Sequence, residues 1–187
     1  MNRSPLRGAR LPMSRIVLRE VTTLDPSLTS IAAVALGEGA IHSHLLVEKD
    51  GIESQHFELR RSHRAECWFR TDAIFWNDQI VIGFAERVYF VHRSGTVTRC
   101  IELQEYFSEF RLGDDWLLVV TGRDITRLDD HGNIVWRSEC LGLDGVAIHA
   151  ICDDVISGEG QWDPPGDWQP FVVILSNGVR ARSPERR

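Results

Sequence analysis

The sequence predicts an all-β protein of about four antiparallel, four-stranded repeats in a propeller-like arrangement, with a β-barrel or a two-sheet sandwich as alternatives. Three observations carry this. Apolar runs such as Ile80–Phe84 (IVIGF) and Trp116–Val120 (WLLVV) have the length of strands. Polar-glycine turns join pairs of such runs, and the turn glycines Gly51, Gly95, Gly132 and Gly178 stand 44, 37 and 46 residues apart, near the length of one four-stranded blade. An acidic or Asn-Asp step also precedes an apolar strand at Asn77-Asp78, Asp114-Asp115 and Asp153-Asp154.

The two markers agree on one register. Asp78 precedes Gly95 by 17 residues, and Asp115 precedes Gly132 by the same 17. Aligned on that offset, Val88 matches Ile125, Val91 matches Leu128 and Val97 matches Ile134. The third repeat then reads as strands at Ser108–Leu112, Trp116–Thr121, Asp124–Leu128 and Ile134–Ser138. The first repeat, Val34–Leu59, fits poorly at its start, as an end repeat often does. In the last repeat Asp154 precedes Gly178 by 24, seven more than elsewhere, so QWDPPGDW is expected as an insertion between the second and third strands. Helical periodicity is weak throughout, and its best candidate is Glu102–Phe110, a short helix or only a turn, where Leu103, Phe107 and Phe110 share a helical face. Two Gly-Glu-Gly steps, at Gly37–Gly39 and Gly158–Gly160, read as bulges or tight bends.

The segment ITRLDDHGNIVW, Ile125–Trp136, resembles the blade motif of quinoprotein-type and related β-propellers: a strand, an Asp, a Gly turn, and a strand closed by Trp. VYFVHRSGTVTRC is similar but carries Arg99 where that Trp would fall, and LSNGVRA lacks it as well. The resemblance extends from Ala73 onward and implies a propeller-like arrangement. It does not imply a quinone, because nothing matches the cofactor or metal ligands of those dehydrogenases. The WDPPGDW block with its following Pro-Phe resembles one found in short bacterial proteins.

Composition bounds the function classes. At 43% apolar and 26% charged residues, the chain has the makeup of an ordinary globular domain, with no stretch of the roughly 20 apolar residues that cross a bilayer. Residues 1–20 carry a net +4 and residues 180–187 a net +3, which leaves −13 of the total −6 for residues 21–179. An acidic body repels phosphate backbones, so nucleic acid is not an expected partner. Residues 1–14 read as a basic N-terminal extension, 15–183 as one β-repeat domain and 184–187 as a basic tail. Twenty arginines against the single Lys49 suggest GC-rich coding and a bacterial source. The four cysteines, Cys67, Cys100, Cys140 and Cys152, show no C-x-x-C spacing, and with no secretory leader they are expected as thiols in the cytoplasm.

The densest candidate site is GEGQWDPPGDWQPF, Gly158–Phe171. Trp162 and Trp168 flank Asp163 and Asp167, with Glu159 just before them, and two prolines limit the shapes the loop can take. Flat indole faces beside carboxylates suit a cation, a peptide or a sugar, while the same tryptophans could equally plug a core. A glycosidase would need two carboxylates facing across a cleft, and the recurrent Asp-Asp steps are better explained as turn chemistry. His42 and His44 put two imidazoles on one face of a strand without a third ligand of supporting spacing, so no metal is assigned. Arg60, Arg61 and Arg64 read as a polar inter-repeat loop. There is no nucleophile elbow, P-loop or dinucleotide fingerprint. No catalytic residue and no cofactor are assigned. The expectation is a non-catalytic domain binding another protein through Glu159, Trp162, Asp163, Asp167 and Trp168, of the accessory or immunity type. The alternative is a carbohydrate-binding or carbohydrate-active protein using the same loop.

Overall fold

The structure, a computed structural model, describes residues 16–22, 31–49, 52–62, 70–162 and 167–181. Among these, fifteen strands and no helix are found. The strands fall into four separate sheets, so the fold is all-β and repetitive, and the barrel is set aside. The chain divides into two compact units, Met1–Arg64 and Ala65–Arg187. The basic ends, residues 1–14 and 184–187, lie outside the described residues, as do Cys67 and the turn glycine Gly51.

The first unit is one sheet in the order β1-β3-β4-β2, from β1 (Ile16–Val21), β2 (Ala33–Leu36), β3 (Ala40–Lys49) and β4 (Ile52–Arg61). β1, β3 and β4 pair antiparallel, but β2 runs parallel to β4, which is why this repeat did not match the others at its start. One face buries Leu45, Val47, Phe57, Leu59 and Leu36. The other carries His44 and His56, whose Nδ1 and Nε2 lie 3.0 Å apart, so an N–H of one ring donates a hydrogen bond to the other ring. His56 is buried, and its Nδ1 has no hydrogen-bond partner among the described residues. The register of β3 slips between Ile41 and Ser43, placing His42 in a bulge. The strict alternation that would set His42 beside His44 is therefore broken, and His44 meets His56 instead. Among the described residues no group of three His, Cys, Asp or Glu is placed to hold a metal.

The second unit holds three sheets in chain order. The first is β5 (Thr71–Trp76), β6 (Gln79–Phe84), β7 (Arg87–His92) and β8 (Val97–Glu102). The second is β9 (Phe107–Leu112), β10 (Trp116–Thr121), β11 (Ile125–Asp129) and β12 (Ile134–Arg137), within a residue or two of the expected strands. The third is β13 (Gly145–Cys152), β14 (Val155–Gln161) and β15 (Trp168–Ile174), with a bridge from Val173 to Arg180 marking the start of a fourth strand. All pairs are antiparallel meanders.

The turns explain the punctuation read from the sequence. Asn77 and Asp78 both adopt positive φ, 48° and 64°, which makes the two-residue β5–β6 link a type I′ hairpin. Gly95, Gly132 and Gly178 all adopt positive φ where the third strand of each sheet turns back. The 37-residue register holds in space: Val88, Val91, Ile125 and Leu128 are fully buried, and the matched pair Val97 and Ile134 are both exposed.

The helical candidate Glu102–Phe110 is not a helix but spans the link between two strands. Glu102 ends β8, the Leu103 and Phe107 amides donate to the carbonyls of Glu86 and Ala85, and β9 begins at Phe107. The helical spacing of Phe107 and Phe110 has another origin. The β9–β10 register skips Ser108, since Val120 pairs with Glu109 and Thr121 with Phe107. That bulge turns both phenylalanines to one face, with ring centroids 4.5 Å apart.

Packing between sheets follows from the two faces of β10. Leu117 and Val119 join a cluster with Val81, Val88 and Phe90 of the preceding sheet. Leu118 and Val120 point the opposite way and join Val146, Ile148, Ile156 and Phe171 of the following sheet. WLLVV is apolar throughout because both its faces are covered.

A second link runs along the outer strands. The Trp136 indole lies against the Gly178 turn of the next sheet, and its Nε1–H donates to Leu175 O at 2.8 Å. A Cβ at Gly178 would stand 2.7 Å from that ring, so the contact needs a glycine there. Arg99, 37 residues earlier, does the same one sheet back: its guanidinium donates to the Gly132 carbonyl and, at 3.1 Å, to Asn133 Oδ1. The place where the blade motif lacks its Trp is thus filled by a residue that grips the same turn by hydrogen bonds.

At the outer edge of β15 the Ile174 amide donates to Val179 O, and Val172 O accepts from the Ala181 amide. Pro170, two residues further along, faces that same edge and has no N–H to offer.

Two measurements test this packing. Trp136→Ala should destabilise the chain by about 3–5 kcal/mol in denaturant unfolding, as a buried aromatic truncation does. Trp136→Phe, which keeps a ring but loses the N–H, should cost only about 1 kcal/mol. In the first unit, burial, then the neighbouring His56, lower the His44 pKa against the opposing pull of Glu58. A lowered histidine pKa means that the unfolded chain binds the proton more readily, so this contribution to stability is whole above pH about 6.5 and is lost as pH falls below it. Hydrogen exchange should therefore show β3 and β4 amides opening more readily at pH 5 than at pH 7.5, relative to β10, and His44→Asn should flatten that difference.

Candidate functional site

The Gly158–Phe171 segment is a hairpin that prolongs the middle of the last sheet. Gly158, Glu159, Gly160 and Gln161 pair with Phe171, Pro170, Gln169 and Trp168. The insertion predicted between second and third strands is thus spent partly on longer strands and partly on the link from Trp162 to Asp167. Gly158 and Gly160 are not bends. A Cβ on Gly158 would meet Ala147 O at 2.1 Å, and one on Gly160 would meet Leu141 O at 1.8 Å. Both glycines let neighbouring backbone approach one face of β14 closely. The Leu143 amide donates to Gln161 O at 2.6 Å, which fixes the root of the hairpin.

The alternation of β14 decides what each side chain faces. Ile156 points into the cluster shared with the preceding sheet. Ser157, Glu159 and Gln161 therefore point outward, with Val172, Pro170 and Trp168 opposite them on β15 and Ala150, Ala147 and Gly145 on β13. The first rung of this face is Cys152, Val155 and Ile174. Trp168 is 45% exposed, and its ring lies over Gly145, 3.0 Å from where a Cβ would stand. Glu159 has His149 Nε2 at 3.9 Å, both groups being open to solvent.

Comparison with the other repeats gives this face its meaning. The β5–β6, β9–β10 and β13–β14 turns put Val81, Leu118 and Ser157 in equivalent places, and likewise Gly83, Val120 and Glu159. In the second sheet Leu118 and Val120 are the residues buried by the sheet that follows. In the last sheet their equivalents are a hydroxyl and a carboxylate. A sheet stack ends in this way when its final face meets water.

The five candidate residues do not act as one set. Glu159 and Trp168 are diagonal neighbours on the outward face. Asp167 is exposed at the hairpin end, and its carbonyl lies 3.4 Å from the Trp162 amide. Trp162 is half-buried, with an Nε1 sealed from solvent and no hydrogen-bond partner among the described residues. Asp163 lies outside the described residues. Asp153 and Asp154 form the β13–β14 turn, Asp153 at φ 53°, while Asp154 Oδ2 accepts from Ser176 Oγ at 2.6 Å. Sequence reasoning did not single out Ser157, Val155, Val172 or Ile174, although the parity of β14 and the repeat register would have placed them beside Glu159.

No family model and no curated protein matches the sequence. Solved structures do. The Pan2 WD40 domain of Neurospora crassa matches with a TM-score of 0.50 at 12% identity, over 74% of this chain and 45% of that one. BamB from Moraxella catarrhalis matches with a TM-score of 0.51 at 14% identity, over 73% of this chain and 45% of that one. The computationally designed Ika8 protein matches with a TM-score of 0.53 at 14% identity, over 74% of this chain and 42% of that one. The chain spans less than half the length of each. At these identities the likeness is one of fold: the chain is built of β-propeller-type repeats, and in the second unit antiparallel sheets stack face to face.

Proposed function

We propose that the chain is a non-catalytic protein-interaction module, and that its contact surface is the outward face of the last sheet with the Glu159–Trp168 hairpin. The observation that carries this is the exchange of Leu118 and Val120 for Ser157 and Glu159, which leaves a sheet face open to water with an exposed Trp at its rim. Tryptophan is among the residue types enriched in the hot spots of protein interfaces. The sheet bearing Trp168 is rigid because β14 is paired on both sides and its inner face is buried. Apolar Val155, Val172, Pro170 and Ile174 border the polar centre, the mixture of a non-obligate interface. The carbohydrate reading has less behind it: Glu159 sits on an open face with His149 nearby, without a second carboxylate across a cleft among the described residues.

A photo-crosslinking residue at position 168 or 155 should capture a discrete protein in cells, whereas one at Thr96, in the exposed β7–β8 turn, should not. With that partner purified, Trp168→Ala should weaken binding by about 30-fold, the loss of about 2 kcal/mol that marks a hot spot. Absence of any protein adduct from positions 168 and 155 would overturn the proposal.

A further inference from the structure

We infer that the outward face of the last sheet docks a basic segment of its partner, with an arginine or lysine side chain held between Trp168 and Glu159. This rests on the interaction proposal above and names the chemistry of the partner.

Geometry supports the position of the cation. Glu159 pairs with Pro170 and Gln161 with Trp168, so Glu159 and Trp168 are diagonal neighbours on one face. Such positions lie about 7–8 Å apart, a gap that a guanidinium or ammonium can fill. A carboxylate on one side and an indole face on the other is the pairing that selects a cation, and arginine can use both its fork and its plane there. The Glu159 carboxylate lies 3.9 Å from His149 Nε2, with both side chains open to solvent. Trp168 is held in place by its contact over Gly145, so its ring needs no reordering to receive a side chain.

Charge complementarity extends the argument beyond one side chain. Between Ser138 and Val179 the sequence has seven carboxylates and neither lysine nor arginine. Glu139, Asp144, Asp153, Asp154 and Asp167 among them are exposed. The flanking cations are already engaged: Arg137 donates to Thr126 Oγ1 and to Glu102 O, and Arg180 lies 3.9 Å from Glu139. Residues 155, 157, 159 and 161 span a row of about 20 Å at strand rise, room for an extended segment of about six residues. Apolar Val155, Ile174 and Val172 at one end of that row would take its uncharged side chains. Strand addition is not the mode, since Pro170 withholds a donor from the open edge.

The test uses the full chain and two labelled peptides, (Arg-Ser)4 and its citrulline counterpart (Cit-Ser)4, compared by fluorescence anisotropy at low and physiological salt. The arginine peptide should bind at least about tenfold more tightly than the neutral one, weaken with salt, and protect β13–β15 amides from exchange. Glu159→Gln and Trp168→Ala should each weaken it about tenfold, while Glu139→Gln should change it less than about twofold. Unchanged melting temperatures would confirm that the variants are folded. Equal binding of both peptides, or binding indifferent to Glu159→Gln, overturns the inference. So does a molecular mass that doubles with concentration and returns to monomer in Glu159→Gln, which would assign the face to a second copy of the chain. A crosslinked partner whose contact segment holds no arginine or lysine overturns the inference while leaving the interaction proposal standing.

Discussion

The second unit depends on one constraint: a strand that is apolar on both faces must be covered twice. β10 divides its side chains between two clusters, Leu117 and Val119 on one side and Leu118 and Val120 on the other. Removing either neighbouring sheet would expose a full row of buried aliphatic groups, each contributing roughly 1.5–3 kcal/mol on burial. Stacking is therefore a condition of the sheet's existence. The outward face of the last sheet differs chemically from the faces buried between the sheets of this unit, with Ser157 and Glu159 where β10 has Leu118 and Val120. The contact role proposed for that face rests on this difference.

The side-chain bridges add direction to this packing. Each reaches forward from the outer strand of one sheet to the turn of the next, Arg99 to the Gly132 turn and Trp136 to the Gly178 turn. Two chemistries meet one geometric requirement. The indole needs a turn without a Cβ, because its ring occupies the space a Cβ would take. The guanidinium needs a carbonyl and an amide oxygen pointing back at it, which Gly132 and Asn133 supply. Within this one chain the same place in the repeat is thus gripped by two different side chains.

Much of the fold was legible in the sequence because its signals are local. Two-residue alternation, Asn-Asp and Asp-Asp turns, and glycines at positive φ are written within a few residues of where they act, and the register of Val88 with Ile125 follows from them. What failed was disturbed by single extra residues. The bulge at Ser108 turned strand spacing into apparent helix spacing, and the bulge at His42 broke the alignment of two histidines. The parallel course of β2 beside β4 depends on a pairing that no local pattern announces. The candidate loop was located, but the unlike fates of Trp162 and Trp168 turn on strand parity and on what lies beneath each ring.

Pro170 has a further consequence for how this protein behaves at high concentration. Among the described residues the segment that follows pairs with β15 only near Val172 to Ile174, and the same backbone edge runs on past Pro170 to Trp168. An unprotected edge of that kind, next to an exposed aromatic and a β-branched run, is the usual seed of fibrous growth. The missing amide hydrogen interrupts any ladder that a second strand could build there, and the neighbouring carboxylates repel a copy carrying the same charge. A surface proposed to hold a different molecule is in this way kept from sticking to itself.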